Sequence, residues 1–221
     1  MRLYHCVSAR SFRALWMLEE LGLSYELQVL PFPPRVHQRS YLETNPLGTV
    51  PALLDGERRL TESAAICQYL AQRHSPRALN VEPDEADFGA YLNLLHFGEA
   101  TLTFPLSLVL RYSRMEPPER RQPQVVDDYG KWFLARLRTL EPQLQQHAFL
   151  CAGRFTAADV AVGYALLVAQ QLGLSERFTP SIAAYWQRLQ HRDAYHRAMH
   201  AQDRAAREQG VSPLPASEVA F

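Results

Sequence analysis

At Thr61-Glu62-Ser63 a carboxylate and a hydroxyl stand where an apolar, helix-periodic run begins. Unpaired amides and the dipole at a helix N-terminus favour an anion, and Ser63 adds a hydroxyl donor, so a carboxylate can sit on Ser63 while an ammonium sits on Glu62. Together they match the zwitterionic end of an α-amino acid, although such a triplet more often serves as a helix cap with an acidic first turn. Just upstream, Val50-Pro51 leads into another apolar run. A cis bond there would turn the backbone N–H and C=O of Val50 outward, free to pair with an extended, peptide-like ligand. An isolated X-Pro step is far more often trans and begins an edge strand.

These residues need elements to hold them. Residues 2–6 read as a strand, and Phe12, Leu15, Trp16, Leu18 and Leu21 mark a helix ending before Gly22. Tyr25 to Leu30 alternates as a second strand, giving a βαβ unit with parallel strands. After PFPPR a weaker helix is predicted over about 36–43. Pro51–Leu54 and Arg58–Leu60 form a hairpin through Asp55-Gly56, and Glu62–His74 is the next helix. The order βαβαββα fills residues 1–76. Beyond a linker at 77–84 the pattern becomes wholly helical over 85–208, with helices near 85–113, 122–146, 156–172, 180–189 and 193–208, and 209–221 reads as an irregular tail. The fold class is therefore α/β followed by all-α.

The 221 residues suit one large or two modest domains, and 47% hydrophobic content supplies a core. Lys plus Arg (23) balances Asp plus Glu (23) without a basic block, so the footprint of a nucleic-acid binder is missing. The opening residues lack a long apolar segment, and no apolar run reaches about 18 residues, which argues against secretion and membrane spanning and makes the cytoplasm the default. Cys6, Cys67 and Cys151 form no C-x-x-C and no ligand cluster with His, so reduced thiols and no metal are expected.

The pattern Y-L-x-x-N-P-L-G-T-V-P-A-L at 41–53, followed by L-T-E-S-A-A-I-C-Q-Y-L at 60–70, closely resembles the cytosolic glutathione transferases. So do S-x-R-S-F-R-A-L-W-M-L-E-E-L-G-L-x-Y-E at 8–26 and the helix-start motif G-R-F-T-A-A-D-V-A at 153–161. The resemblance implies a thioredoxin-like N-terminal domain and an all-helical C-terminal one. It makes Val50 the backbone partner of the cysteinyl group of glutathione, makes Pro51 cis, and makes Glu62 and Ser63 the γ-glutamyl clamp. It further implies a homodimeric detoxifying enzyme with glutathione as co-substrate, no metal, and a hydrophobic small-molecule electrophile as partner.

Glutathione's thiol should titrate near ~8.5, and its thiolate is the nucleophile. Lowering that pKa by about two units takes roughly 2.7 kcal/mol of preferential thiolate binding. One charge-assisted hydrogen bond, worth ~1.5 to 3 kcal/mol, nearly suffices. Ser8 and Ser11 are the candidate donors. Ser8-Ala9-Arg10-Ser11 stands where redox relatives carry C-x-x-C, with Arg13 five residues after Ser8, and the same register sets Ser8 on the serine of the zeta-like S-S-C-S-W-R pattern. Ala9 replaces the delta-like serine and Arg10 the beta-like cysteine. Ser8 is favoured because it stands nearer the open strand-to-helix junction, simple capping being the common alternative for both serines. Arg10 is a candidate for adding positive potential beside the thiolate.

For the glycyl carboxylate, Arg35, His37, Gln38 and Arg39 are at hand, and Gln38 is chosen. The long helix near 85–113 supplies one wall of the electrophile pocket, with Tyr91, His96, Phe97, Thr101 and Phe104 as candidates and a kink at Pro105. Thr156-Ala-Ala-Asp159 is a capping box of structural meaning. The principal reading is a glutathione transferase. A glutathione-dependent isomerase of the maleylacetoacetate type and a non-catalytic regulatory protein on the same fold are the alternatives.

Overall fold

The computed structural model of the protein describes residues 1–75, 78–215 and 217–218. Residues 76 and 77 of the expected domain boundary, and residues 216 and 219–221 of the expected tail, lie outside the described residues. The chain runs β1 (Arg2–His5), α1 (Phe12–Leu21), β2 (Glu26–Val29), α2 (Pro34–His37), α3 (Tyr41–Thr44), β3 (Ala52–Asp55), β4 (Arg58–Leu60) and α4 (Ser63–His74). Among the described residues seven α-helices follow: α5 (Phe88–His96), α6 (Phe104–Leu110), α7 (Pro123–Leu137), α8 (Glu141–Gln146), α9 (Ala157–Gln171), α10 (Pro180–Gln190) and α11 (Asp193–Glu208). The described residues divide into two compact units, Met1–His74 with residues 192–218, and Ser75–His191.

In the first unit the sheet order is β2-β1-β3-β4, with β1 parallel to β2 and the remaining pairs antiparallel. Leu3 pairs with Leu27 on one side and Leu53 on the other, and Leu53 with Leu60, which stacks leucines across the sheet. Every residue of α1 from Phe12 to Leu18 is buried, where the sequence pattern gave it a single apolar side. The reason is that α1 packs against α4 and also against α11. Phe12 and Trp16 both meet the edge of Tyr195, with ring centroids 5.7 and 5.0 Å apart.

The last helix therefore belongs to this first unit instead of closing the helical one. Arg192 makes a two-pronged ion pair with Glu20 (2.6 and 2.8 Å), and Ala205 and Ala206 pack on Val7 and Val29. At the edge of the sheet, Gln209 accepts from the N–H of Val29 (2.8 Å) and donates to the carbonyl of Leu27 (2.8 Å), so a side-chain amide occupies the ladder positions a neighbouring strand would take.

The weak helix expected over 36–43 is two short helices, because the chain leaves helical geometry at Gln38 (φ −143°, ψ 74°). In the second unit, the long helix expected from 85 starts at Phe88 and widens to π-helical geometry over Phe97–Thr103 before Pro105. Proline has no N–H to donate, and the wider turn lets the Thr103 hydroxyl reach the Gly98 carbonyl (2.7 Å). Gly98 itself is pressed on α9: a Cβ there would stand 2.6 Å from the backbone carbon of Ala161. The capping box forms as read, with Thr156 N–H donating to Asp159 (2.8 Å). The stretch 78–85 is strapped to the start of α9: Ala157 N–H donates to the Leu79 carbonyl, and Arg154 reaches both the Asn80 carbonyl and Glu85. No helix among the described residues is long and apolar enough to cross a membrane.

Candidate active site

The sheet topology brings three pieces of the first unit to one end. Because β3 runs antiparallel to β1 with Tyr4 opposite Ala52, the turn after β1 lies beside the residues leading into β3. Because β4 runs antiparallel to β3 with Leu53 opposite Leu60, the start of α4 lies there too. Cys6, Ala9, Leu30, Tyr41, Val50 and Ala52 form one apolar cluster beneath, which ties the serine turn to the Val50 loop.

Ser63 opens α4, and the carbonyl of exposed Glu62 accepts the Ile66 N–H (2.9 Å) as the cap of that helix. The Ser63 hydroxyl accepts from Nη1 of Arg13 at 3.1 Å, and Arg13 is wholly buried. An oxygen that accepts from a guanidinium keeps its own hydrogen to donate, and a buried positive charge below a helix N-terminus strengthens the preference for a carboxylate above it.

Val50-Pro51 is cis, as is Phe32-Pro33. The carbonyl of Thr49, next in the chain, accepts from the Tyr41 hydroxyl and from Asn45 Nδ2, both at 2.7 Å. Gly48 stands at φ +61°, where a Cβ would come 2.7 Å from the Cβ of Arg35. The N-P-L-G-T-V-P run is thus pinned on both sides of the peptide that presents Val50. Among the described residues neither the N–H nor the C=O of Val50 has a hydrogen-bond partner.

Ser8 and Ser11 have different surroundings. Ser11 is fully buried: its Oγ accepts from the Cys6 N–H (3.2 Å) and lies 2.9 Å from Nδ1 of His5. This hydroxyl is enclosed in the protein and makes no cap bond to α1, so Ser11 is not placed to meet a ligand. Ser8 sits in the left-handed region at φ +54°, an uncommon conformation for a residue with a Cβ. Its N–H donates to Oε1 of Gln202 (2.9 Å), and Gln202 Nε2 donates to its Oγ (3.3 Å). His5 Nε2 is 3.0 Å from the same Gln202 Oε1. Burial pushes the His5 imidazole down to about 4, outweighing the raising effects of its bond to Gln202 and of the Ser11 backbone, so the ring is neutral.

Of the remaining candidates, Arg10 is half-buried in the turn between the serines. Gln38 is half-buried, and its backbone joins α2 to α3 by donating to Pro34 and accepting from Tyr41. Tyr91 is 0% exposed and belongs to the core of the helical unit, which removes it from the electrophile candidates: an aromatic at helical spacing filled space instead of facing a ligand. His96 is exposed, Phe97 and Thr101 are half-buried on the π-helical segment, and Phe104 is 57% exposed. All three cysteines are buried and form no disulfide; burial drives the Cys6 thiol far up, Cys67 to about 12 and Cys151 to about 11, which disfavours their thiolates. Among the described residues no group of three or more His, Cys, Asp or Glu is placed to hold a metal ion.

Sequence reasoning missed Arg13, His5 and Gln202 as parts of this site. Arg13 carried a usable signal, a cation inside the apolar run F-R-A-L-W-M-L. Gln202 carried none, since it lies 197 residues from His5.

Comparison with known proteins agrees with this geometry. Residues 3–78 match the family model described as glutathione S-transferase, N-terminal domain, and residues 108–193 match glutathione S-transferase, C-terminal domain. The chain is 31% identical over 186 residues to glutathione S-transferase 3 of Schizosaccharomyces pombe, covering 79% of this chain and 76% of that protein. It is similar to the crystal structure of glutathione transferase URE2P5 from Phanerochaete chrysosporium (TM-score 0.82, 25% identity, 95% of this chain and 97% of that one). It also resembles URE2P6 of the same fungus, solved in complex with oxidized glutathione (TM-score 0.80, 26% identity, 92% and 96%).

Proposed function

The chain belongs to the cytosolic glutathione S-transferase family, and on that premise we propose that it binds glutathione at the sheet end formed by Ser8, Val50 and Ser63 and activates the thiol for attack on a hydrophobic electrophile. The observation that carries this reading is the hydroxyl of Ser63, held by the buried guanidinium of Arg13 at the first turn of α4. A neutral clamp for a peptide would not need a cation there.

In this mechanism the γ-glutamyl carboxylate takes the hydrogen of Ser63 and the α4 amides, and its ammonium faces Glu62. The cysteinyl N–H and C=O pair with the C=O and N–H of Val50, the direction fixed by Pro51. Gln38 takes the glycyl carboxylate. The thiol loses its proton to solvent, and the Ser8 hydroxyl, keeping its own proton, donates a hydrogen bond to the thiolate. Sulfur then forms a bond to the electrophilic carbon, whose leaving group departs with the electron pair. Donation to a charged acceptor is worth about 1.5 to 3 kcal/mol, or one to two pKa units of thiolate stabilisation. Arg10 adds positive potential at the turn. On the helical unit, Phe97, Thr101, His96 and Phe104 are the residues with accessible side-chain surface for the electrophile. The reading extends to a homodimer in the cytoplasm.

The test is a calorimetric titration with glutathione while bound-thiolate absorbance near 240 nm is followed across pH, for wild type, Ser8→Ala and Ser11→Ala. Binding with a depressed thiol pKa, lost in Ser8→Ala alone, supports the proposal. Failure of wild type to bind glutathione ends it.

A further inference from the structure

A cleft of about 420 Å³ lies wholly within the helical unit, where the end of α6, the first turns of α7 and the chain just after α9 meet. Its size falls in the range of roughly 300 to 1,000 Å³ that small-molecule sites occupy. None of its lining residues is among the electrophile candidates His96, Phe97, Thr101 and Phe104. Val109, Val126, Leu172 and Leu174 give it an apolar wall, and Gly130, in the middle of α7, gives it room. A glycine inside a helix is less favourable than an alanine. Here an added Cβ would meet only the Cδ2 of Leu174, at the ordinary contact distance of 3.6 Å, so the packing around α7 does not call for a glycine. What a longer side chain at 130 would take up is the space of the cleft.

The charged groups lining the cleft are Arg121, Arg177 and Asp127. Asp127 is paired with Lys131, one turn further along α7. The carboxylate of Glu116 is taken by Arg111 and Arg120, at 2.8 and 3.2 Å. Arg121 is anchored through its Nε–H, which donates to the Glu116 carbonyl (3.2 Å), and among the described residues neither Arg121 nor Arg177 has an ion pair. An apolar wall and a surplus of positive charge thus meet in one cleft.

We propose that this cleft binds an amphipathic organic anion, with its apolar body against Val126, Leu172 and Leu174 over Gly130 and its carboxylate or sulfonate at Arg121 and Arg177. Charge complementarity selects this occupant. A neutral apolar molecule would leave both guanidinium groups unused, and an inorganic anion would leave the apolar wall uncovered. Guanidinium donors suit the oxygens of a carboxylate or sulfonate because their fork can engage two at once. The proposal does not depend on glutathione binding in the first unit.

The test titrates the full chain with anilinonaphthalene sulfonate by calorimetry and fluorescence, with N-phenylnaphthylamine as the same body without the charge. A Kd of about 10 to 100 µM for the anion is expected for a ligand of this size. Arg177→Gln, at an exposed position, should weaken the anion by about two- to fivefold and leave the neutral amine unchanged. Gly130→Met fills the cleft with a flexible side chain and should weaken both probes by about tenfold or more. Its thermal unfolding midpoint should not fall, because methionine is the better helix former. Unchanged binding in Gly130→Met would place the probe elsewhere and overturn the proposal. A response to Arg177→Gln that is absent, or the same for anion and amine, would overturn it because the arginines would not be reading the charge. Failure of wild type to bind the anion at about 1 mM would also end it. Should Gly130→Met not fold, nitrogen-15 amide shifts of wild type on adding the anion decide: Gly130, Leu172 and Leu174 are expected to move, and movement confined to other residues would overturn the proposal.

Discussion

The guanidinium of Arg13 donates to the hydroxyl of Ser63 across 3.1 Å, with both side chains shut off from water. A hydrogen bond from a charged group contributes about 1.5 to 3 kcal/mol, and its loss here also frees the serine to rotate. Arg13→Met should weaken glutathione binding by roughly tenfold or more and lower the stability of the first unit by about 1.5 to 3 kcal/mol. Calorimetry and urea unfolding measure the two effects. Unchanged affinity would mean that Ser63 needs no orientation from below.

His5 makes stability depend on pH. Its folded value near 4 lies below the ordinary imidazole value of 6.5, so between these limits the unfolded chain binds the extra proton. Stability is full above about 6.5 and is lost as pH falls toward 4, by up to about 3 kcal/mol. Unfolding midpoints of wild type and His5→Gln at pH 7 and pH 4.5 check this, the variant being flatter.

Gly48→Ala puts a Cβ 2.7 Å from that of Arg35 at a left-handed position. Neither atom is the end of a flexible side chain, so the loop must shift, at a cost of about 1 to 3 kcal/mol. Since this loop presents Val50, glutathione affinity should fall together with stability, whereas an exposed change on α7 such as Asp128→Ala should move neither.

Asp159 does more than cap. It accepts from Thr156 N–H, Leu150 N–H (3.1 Å) and the Tyr185 hydroxyl (2.8 Å), all buried. Asp159→Ala leaves these donors without their acceptor and should cost about 3 kcal/mol or more, beyond the ~1 kcal/mol of a lost cap. Burial pushes this carboxyl up to about 6, so the folded state binds the extra proton between 3.8 and 6 and the stability it gives falls as pH rises through that window. The sign is opposite to that of His5. Thermal unfolding of Asp159→Ala at pH 7 gives the magnitude.

Patterns of period two and 3.6 revealed β1 to β4 and most helices, because those periods are local. The helix start at Glu62 and Ser63 and the turn from Val50-Pro51 into the β3–β4 hairpin were legible for the same reason: cap, proline and hairpin chemistry act within a few residues. What stayed hidden depends on distance. Tyr91 fits both a pocket wall and a core by spacing alone. Ser11 stood second to Ser8 by its place in the turn, and nothing local showed that His5 and Cys6 enclose it. At the π-helical segment 97–103, Pro105 is visible in the sequence, but the close fit of Gly98 on α9 is not.

Gln209 on the edge of β2, and Gln202 on Ser8, are made late. During synthesis β1 and the serine turn emerge first, but the amide of Gln202 that bonds Ser8 follows 197 residues after His5. At about 5 to 20 residues per second the turn waits roughly 10 to 40 s for it. Through that interval β2 has an uncovered edge and α1 an uncovered flank of Phe12 and Trp16. These surfaces are therefore covered only once α11 and Gln209 have been synthesised.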